Sequence, residues 1–423
     1  MTETGQRARV LSGAFLRSSA VIAVAIGVMN VTTYAYTIIA AHTIGKEPYG
    51  AFSALMGALL VVSVVSLGLQ ATGARRIAAH PDQVVAIERI VLDVGFRSAL
   101  ALGALCLLLA PVLNHVLRLE SLPTALLVCL AAVPVTFMGA QAGVLQGEQR
   151  WEPLALVYLS AGLGRIIIGT GLILIAPGEF SATLGVALGS WVPVVVAWVA
   201  LRRPRVERSE QEGHPGIELM REVGTSSQAL LAFFALSNAD ILICRAVMSD
   251  SQAGLYASGL IMVKAILFFP QFVVVIAFPS MSKQGASRRA LAMALAVSAA
   301  LGSLGVLATV LMPDLALLFV GGQEFEGIKD DLWKFAAVGT LLSMIQLLVY
   351  SALARRQGRA VLIMWTALAV LVAVALTMST ATSLVLLVVA VDGALFVALF
   401  TLAATGPSPA AQPAPASSGL RDA

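Results

Sequence analysis

Hydrophobic positions in this chain come in long blocks, not in the narrow stripes of a soluble helix. A bilayer core about 30 Å thick takes roughly 20 apolar residues of helix to cross. Runs of that kind fall at residues 15–41, 50–72, 90–113, 122–145, 154–176, 180–201, 225–248, 254–278, 290–312, 331–353, 359–380 and 383–404. The pattern predicts an all-α, polytopic membrane protein with twelve transmembrane helices.

The charges between the runs alternate in sign of topology. If the N-terminus faces the cytoplasm, the inside segments hold 20 of the 27 lysines and arginines, the outside segments hold Lys46, Arg118, Lys329 and Lys334, and Arg165, Arg245 and Lys264 lie within spans. That asymmetry follows the positive-inside rule, and one helix more or less would scramble it. Both termini are therefore expected in the cytoplasm. The arginines at 7, 9 and 17 precede an apolar run with no small-residue cleavage site, which reads as an uncleaved anchor.

A long inside segment at 202–224 divides the runs six and six. Sliding the second half back by 204 positions sets Gly254, Leu255 and Tyr256 on Gly50, Ala51 and Phe52, and Arg221 on Arg17. Both halves start on the same side, so the repeat is parallel, with its pseudo-axis along the membrane normal. The expected organisation is a short N-terminus (1–14), a six-helix bundle (15–201), a linker (202–224), a second six-helix bundle (225–404) and a Pro/Ala/Ser-rich tail (405–423).

Composition agrees with a life in lipid: 59% of the 423 residues are hydrophobic and 12% charged, against roughly 25% charged in soluble domains. Cys106, Cys129 and Cys244 sit in different runs, and His42, His80, His115 and His214 read as loop residues, so no metal site or disulfide frame is implied. The loops leave no room for a soluble catalytic domain. No HExxH, nucleophile elbow or phosphate loop is present, and no cofactor or nucleic acid is implied.

Candidate function therefore rests on polar groups inside the spans. A charge at mid-depth costs roughly 2.5–3.5 kcal/mol on insertion scales, so it normally faces a partner or a wet cavity. Asp240, Arg245 and Lys264 interrupt the seventh and eighth runs, and Arg165 interrupts the fifth among glycines. Asn30, Thr33, Tyr34 and Thr37 share one face of the first span; Ser63, Ser66 and Gln70 share one of the second. Lys264 and Gln271 share a face of the eighth, and Asn238 and Arg245 one of the seventh. These stripes suit a lumen, or helix-to-helix polar contacts. Asp240 and Lys264 suit a structural ion pair, or separate roles. Arg165 suits a bond to backbone carbonyls or to a substrate. Asp392 is a weaker candidate, and Asp93 and Arg97 are spaced to pair at i, i+4. Glycines at 139, 143, 147, 185 and 189 have the spacing of close helix packing. Pro134, Pro193 and Pro270 interrupt spans and suit kinks or hinges. Glu324, Glu326, Asp330 and Asp331 read as a solvated outer loop.

The residues Gly45–Lys46–Glu47–Pro48–Tyr49–Gly50–Ala51–Phe52, Gly68 and Arg75–Arg76–Ile77–Ala78, followed in the second half by Asp240, Gly254–Leu255–Tyr256–Ala257, Lys264, Pro270 and Phe278–Pro279, resemble the polysaccharide flippases of the multidrug/oligosaccharidyl-lipid/polysaccharide exporter superfamily. The resemblance covers residues 12–404. It implies a MATE-like, V-shaped pair of bundles in the bacterial cytoplasmic membrane. By alternating access they would carry an undecaprenyl-pyrophosphate-linked oligosaccharide from the inner to the outer leaflet. On that reading cationic cavity residues meet the pyrophosphate, the lipid tail stays in or beside the bilayer, and glycosyltransferases and a polysaccharide polymerase are the working partners. Peptidoglycan-precursor flippases of the superfamily have fourteen helices; this chain has twelve runs.

Other readings compete, among them a major-facilitator carrier with six plus six helices, whose usual Gly-rich basic loop after the second helix is absent here. A cation-coupled drug exporter of the same superfamily would use Asp240 as its ion site, against an excess of intramembrane base. A membrane enzyme of polysaccharide assembly would need catalytic groups that the short loops do not provide. A silent scaffold would tolerate loss of Lys264 and Arg245.

Overall fold

The computed structural model describes residues 3–202, 216–281, 287–354 and 358–405; most of the linker and nearly all of the Pro/Ala/Ser-rich tail lie outside them. The described residues form helices only: α1 (Glu3–Ile44), α2 (Lys46–Ala79), α3 (Val84–Val116), α4 (Leu122–Gly147), α5 (Trp151–Ile175), α6 (Glu179–Gly189) and α7 (Trp191–Leu201) in the first half. The second half holds α8 (Gly216–Val247), α9 (Asp250–Met281), α10 (Ser287–Leu311), α11 (Pro313–Val320), α12 (Leu332–Ala354), α13 (Gly358–Ala375) and α14 (Ala381–Thr405), with 3-10 turns at Pro81–Gln83 and Gln323–Asp331.

Eleven segments among the described residues are long and apolar enough to cross a membrane. The 32-residue α9 occupies the remaining place in the series of twelve; at about 1.5 Å per residue it exceeds the hydrocarbon thickness. The expected sixth span is one crossing in two pieces: α6 gives way to α7 at Ser190, just before Pro193, whose ring cannot sit against the carbonyl four residues back in an unbroken helix. Pro134, by contrast, lies inside an unbroken α4. α1 begins at Glu3 and α8 at Gly216, so both helices extend into segments expected as non-membrane ends. The histidines need correction too: His42 and His115 occupy the last turns of α1 and α3, where a basic group complements the helix dipole.

Lipid takes the place of water as the surrounding solvent. α3 turns Leu105, Leu107, Leu108, Leu109 and Val112 outward, with Leu108 77% exposed. An apolar face of that extent would aggregate in water.

The contacts within the two halves repeat. α1 packs on α5 as α8 packs on α13, α2 on α4 as α9 on α12, α3 on α4 as α10 on α12, and α4 on α6 as α12 on α14. Small residues make this density possible. A Cβ on Gly139 would lie 2.2 Å from the Ser66 carbonyl oxygen, and one on Gly143 2.7 Å from that of Gln70, because α4 lies directly on α2. Gly185 of α6 similarly meets Gly169 of α5, 2.2 Å from its Cα. Without a hydrophobic drive between helices in lipid, such close approach supplies van der Waals contact that larger residues would block.

Across the seam, α2 lies against α8 and α9, and α1 against α9. One close backbone crossing joins the repeat-equivalent glycines. A Cβ on Gly50 would stand 2.9 Å from the Gly254 nitrogen, and one on Gly254 2.3 Å from the Lys46 carbonyl oxygen. Gly45, at φ 88°, makes the reversal from α1 into α2 that brings Lys46 there, a backbone state open to glycine at little cost.

Overpacking a tight helix contact costs about 1–3 kcal/mol. Gly139→Leu should therefore lower the thermal unfolding midpoint of detergent-purified protein clearly. Gly171→Leu, where a Cβ meets nothing within 4 Å, should leave it unchanged. Equal midpoints would remove α4-on-α2 packing as a source of stability.

Candidate functional site

A chamber of about 340 Å³ lies on the seam, lined by α1, α2, α4, α5 and α6 from the first half and by α8, α9 and α12 from the second. The polar stripe of α1 faces it: Asn30, Thr33, Tyr34 and Thr37 all line the space. Ser63 reaches it from α2, Ser237 and Asn238 from α8, Arg165 from α5 and Lys264 from α9. Arg165 and Lys264 stand near the middles of helices that start at Trp151 and Asp250, so both charges are at mid-depth. They are close enough for their charges to interact. Neither has a carboxylate within ion-pair distance among the described residues, and the Arg165 Nε atom is buried without a hydrogen-bond partner. None of the described lining residues is an aspartate or glutamate. The chamber therefore carries positive charge from both halves with no internal counter-charge, a setting that favours an anion.

The other sequence candidates sit elsewhere. Asp240 is 3% exposed and turned into the second half. Its Oδ2 accepts the Tyr256 hydroxyl at 2.7 Å and its Oδ1 accepts the Ile241 N–H at 2.9 Å. It makes no ion pair with Lys264, although the two charges feel each other. Asp392 is buried beside it, close enough for electrostatic interaction. Gln70 donates to Gln146 at 2.8 Å and to Tyr158 at 2.6 Å, a network joining α2, α4 and α5 inside the first half. The side chains of Pro270 and Gln271 lie outside the described residues. Asp93 and Arg97 pair at 3.0 Å on the surface of α3.

Arg245 lies on the seam but beyond the chamber, at the end where α3 turns into α4 and α8 into α9. Its Nε donates to the Leu117 carbonyl at 2.7 Å and an Nη to that of Arg118 at 2.9 Å, while it contacts Asp250 at 2.9 Å. The favour is returned: Arg118 donates to the Arg245 carbonyl at 2.5 Å and to that of Met248, and pairs with Asp250 at 3.3 Å. Each arginine thus caps the carbonyl-rich C-terminus of a helix in the opposite half, where unsatisfied carbonyls and the helix dipole favour a cation. Arg118 holds a left-handed backbone, φ 48°, which aims the carbonyls of 117 and 118 at Arg245. Glu179, 1% exposed, accepts the Glu120 N–H at 2.8 Å and holds the same turn against α6.

Sequence reasoning missed this latch. Arg118 reads only as a charge of an outside segment, and its role with Asp250 needs helices from both halves to end at one place. Tyr36, Tyr49 and Gln346, which also line the chamber, lay off the stripes used to choose candidates. Glu324, expected as a solvated loop residue, accepts the Lys46 N–H at 2.8 Å and so ties the α1–α2 turn to the second half.

The helix order is shared with solved structures of other multi-pass membrane proteins. An inward-facing conformation of a multidrug resistance MATE family transporter is similar over 92% of this chain and 97% of its own, at 15% identity and TM-score 0.69. A lipid II flippase, MurJ, in an inward closed conformation is similar over 91% of this chain and 87% of its own, at 12% identity and TM-score 0.68. A MOP superfamily transporter from Pyrococcus furiosus Vc1, described as having a binding pocket of reverse polarity, is similar over 92% and 95%, at 14% identity and TM-score 0.61. No curated protein matches. The family model for polysaccharide biosynthesis proteins matches residues 15–284, and the chain belongs to that family.

Removing the buried Arg245 guanidinium leaves the Leu117 and Arg118 carbonyls without their donor, a cost of about 1–3 kcal/mol for each group. In a chain lacking its native cysteines, Arg245→Ala should raise labelling of a chamber cysteine, Ser237→Cys, at least tenfold when a membrane-impermeant thiol reagent is applied from the latch end. Arg97→Ala, whose pair is exposed and worth at most about 1 kcal/mol, should leave labelling unchanged. Equal labelling in both would mean that the latch does not hold the seam.

Proposed function

We propose that this protein is an alternating-access flippase that moves an undecaprenyl-pyrophosphate-linked oligosaccharide from the inner to the outer leaflet of the bacterial cytoplasmic membrane. The observation that carries the reading is the pairing of Arg165 with Lys264, one from each half, in a chamber without a carboxylate among its described lining residues. Two like charges at mid-depth repel, and an anionic group set between them turns that repulsion into attraction for both halves. A pyrophosphate fits this electrostatic need. Asn30, Tyr34, Ser237 and Asn238 offer donors and acceptors suited to sugar hydroxyls. A volume of about 340 Å³ is at the small end of ligand sites, enough for the pyrophosphate and first sugar, with the rest of the glycan toward the open end.

The two six-helix halves act as the moving bodies, and the Arg118–Arg245–Asp250 latch with the Gly50–Gly254 crossing closes one end. On the topology expected from the charges, that end is the outer one. Similarity to an inward-facing MATE family transporter at TM-score 0.69, against 0.60 for an outward-facing one, supports the same orientation. Membership of the polysaccharide biosynthesis family supports a place between glycosyltransferases that build the lipid-linked unit and a polymerase that consumes it. A cationic drug as cargo is disfavoured by the same unpaired positive charges.

A charge-assisted hydrogen bond contributes about 1.5–3 kcal/mol, equivalent to roughly ten- to hundredfold in rate or affinity. In proteoliposomes carrying a fluorescent polyprenyl-pyrophosphate sugar, Lys264→Ala and Arg165→Ala should each slow translocation by that factor, and Lys264→Arg should restore most of it. Wild-type rates in both alanine variants, with intact folding, would overturn the assignment.

A further inference from the structure

A second cavity, about 620 Å³ and open at the side of the molecule, lies between α1, α9, α10 and α11. It is larger than the chamber and different in kind. Ala265, Gly305, Ala308 and Ala316 are among its lining residues, and their small size leaves it room. Its few polar groups are already engaged. Thr309 Oγ1 donates to the Gly305 carbonyl at 2.8 Å, and His42 can donate to the Ile38 or the Leu318 carbonyl, each 3.0 Å from a ring nitrogen. Nothing there calls for a polar ligand; the groove suits hydrocarbon.

The groove and the chamber share a wall. On α9, Lys264 faces the chamber while its neighbour Ala265 faces the groove. On α1, Tyr34 faces the chamber and Ile38, one turn on, faces the groove. The partition itself is Tyr34, whose hydroxyl donates to the Ile261 carbonyl at 3.0 Å and whose ring lies 5.7 Å from that of Phe319. Its hydroxyl bond and its ring contact lie between the chamber and the groove.

A cationic chamber separated by one tyrosine from an apolar groove matches an amphiphile with an anion at one end and a long chain at the other. We propose that the groove seats the polyprenyl chain of the substrate whose pyrophosphate lies between Arg165 and Lys264, with the Tyr34–Phe319 pair as the partition the chain crosses. This rests on the flippase reading and adds to it a defined path for the tail: against α10 and α11, held by the protein and not left free in the bilayer. A lone phospholipid acyl chain would satisfy the groove but would leave the adjoining cations without a part.

The test uses the full chain in nanodiscs of phosphatidylethanolamine and phosphatidylglycerol with two probes, a long-chain polyprenyl pyrophosphate bearing a photoactivatable group along its tail and geranyl pyrophosphate. Ala308→Trp fills the groove from an exposed position. It should weaken long-chain binding by about tenfold or more and leave geranyl pyrophosphate binding unchanged, while Lys264→Ala weakens both. In the wild-type chain the photoprobe should label residues 305–319, which holds the proposal to account even if Ala308→Trp misfolds. Labelling elsewhere, wild-type long-chain affinity in Ala308→Trp, or loss of labelling to excess phosphatidylglycerol would overturn the groove assignment and leave the chamber intact. Failure of both probes to bind the wild-type chain would overturn the flippase reading and the groove's occupant with it.

Discussion

The closed end of the seam depends on two backbones meeting where side chains would keep them apart. Gly50 and Gly254 hold repeat-equivalent positions at the starts of α2 and α9 and lie against each other across the pseudo-axis. That approach brings the α3–α4 turn within reach of the end of α8, so Arg118 and Arg245 can exchange caps. A single added methyl group at either glycine would push the halves apart at the point from which the latch is built. Steric fit sets the distance, and the charged hydrogen bonds hold it.

One end of the seam is thus rich in satisfied charge, and the middle has charge that is not satisfied. In the latch, arginines meet carbonyls and Asp250. In the chamber, Arg165 and Lys264 face each other's halves with no described carboxylate between them. A low-dielectric wall makes that imbalance strong, and it is what gives the chamber a preference for anions. The nearby carboxylates are diverted: Asp240 is turned to Tyr256 and Asp392 is buried near Asp240, inside the second half.

Much of the architecture was legible in the chain. Helix number and spacing follow from block length, because lipid forces each crossing to satisfy its own backbone within about 20 residues. The repeat was visible in Gly50 and Gly254, and the α1 stripe of Asn30, Thr33, Tyr34 and Thr37 follows from helical periodicity alone. Those signals are local, and local signals survive in a one-dimensional reading. Arg245, Asp240 and Gln70 show the limit. Each is a polar residue in an apolar run, as Lys264 is, yet they sit in a latch, a buried network inside the second half and a helix-packing cluster.

What the sequence determined by itself is that the chain crosses a membrane repeatedly, in two related halves, with rare charges inside the spans. The cost of burying charge and backbone in hydrocarbon acts on every residue separately, so it leaves its mark in order along the chain. Which charges converge on a chamber, which cap a distant helix, and where an apolar groove opens beside them were decided only by the tertiary structure. Those outcomes depend on the rotation and crossing of helices more than a hundred residues apart, and no single stretch of sequence encodes that geometry.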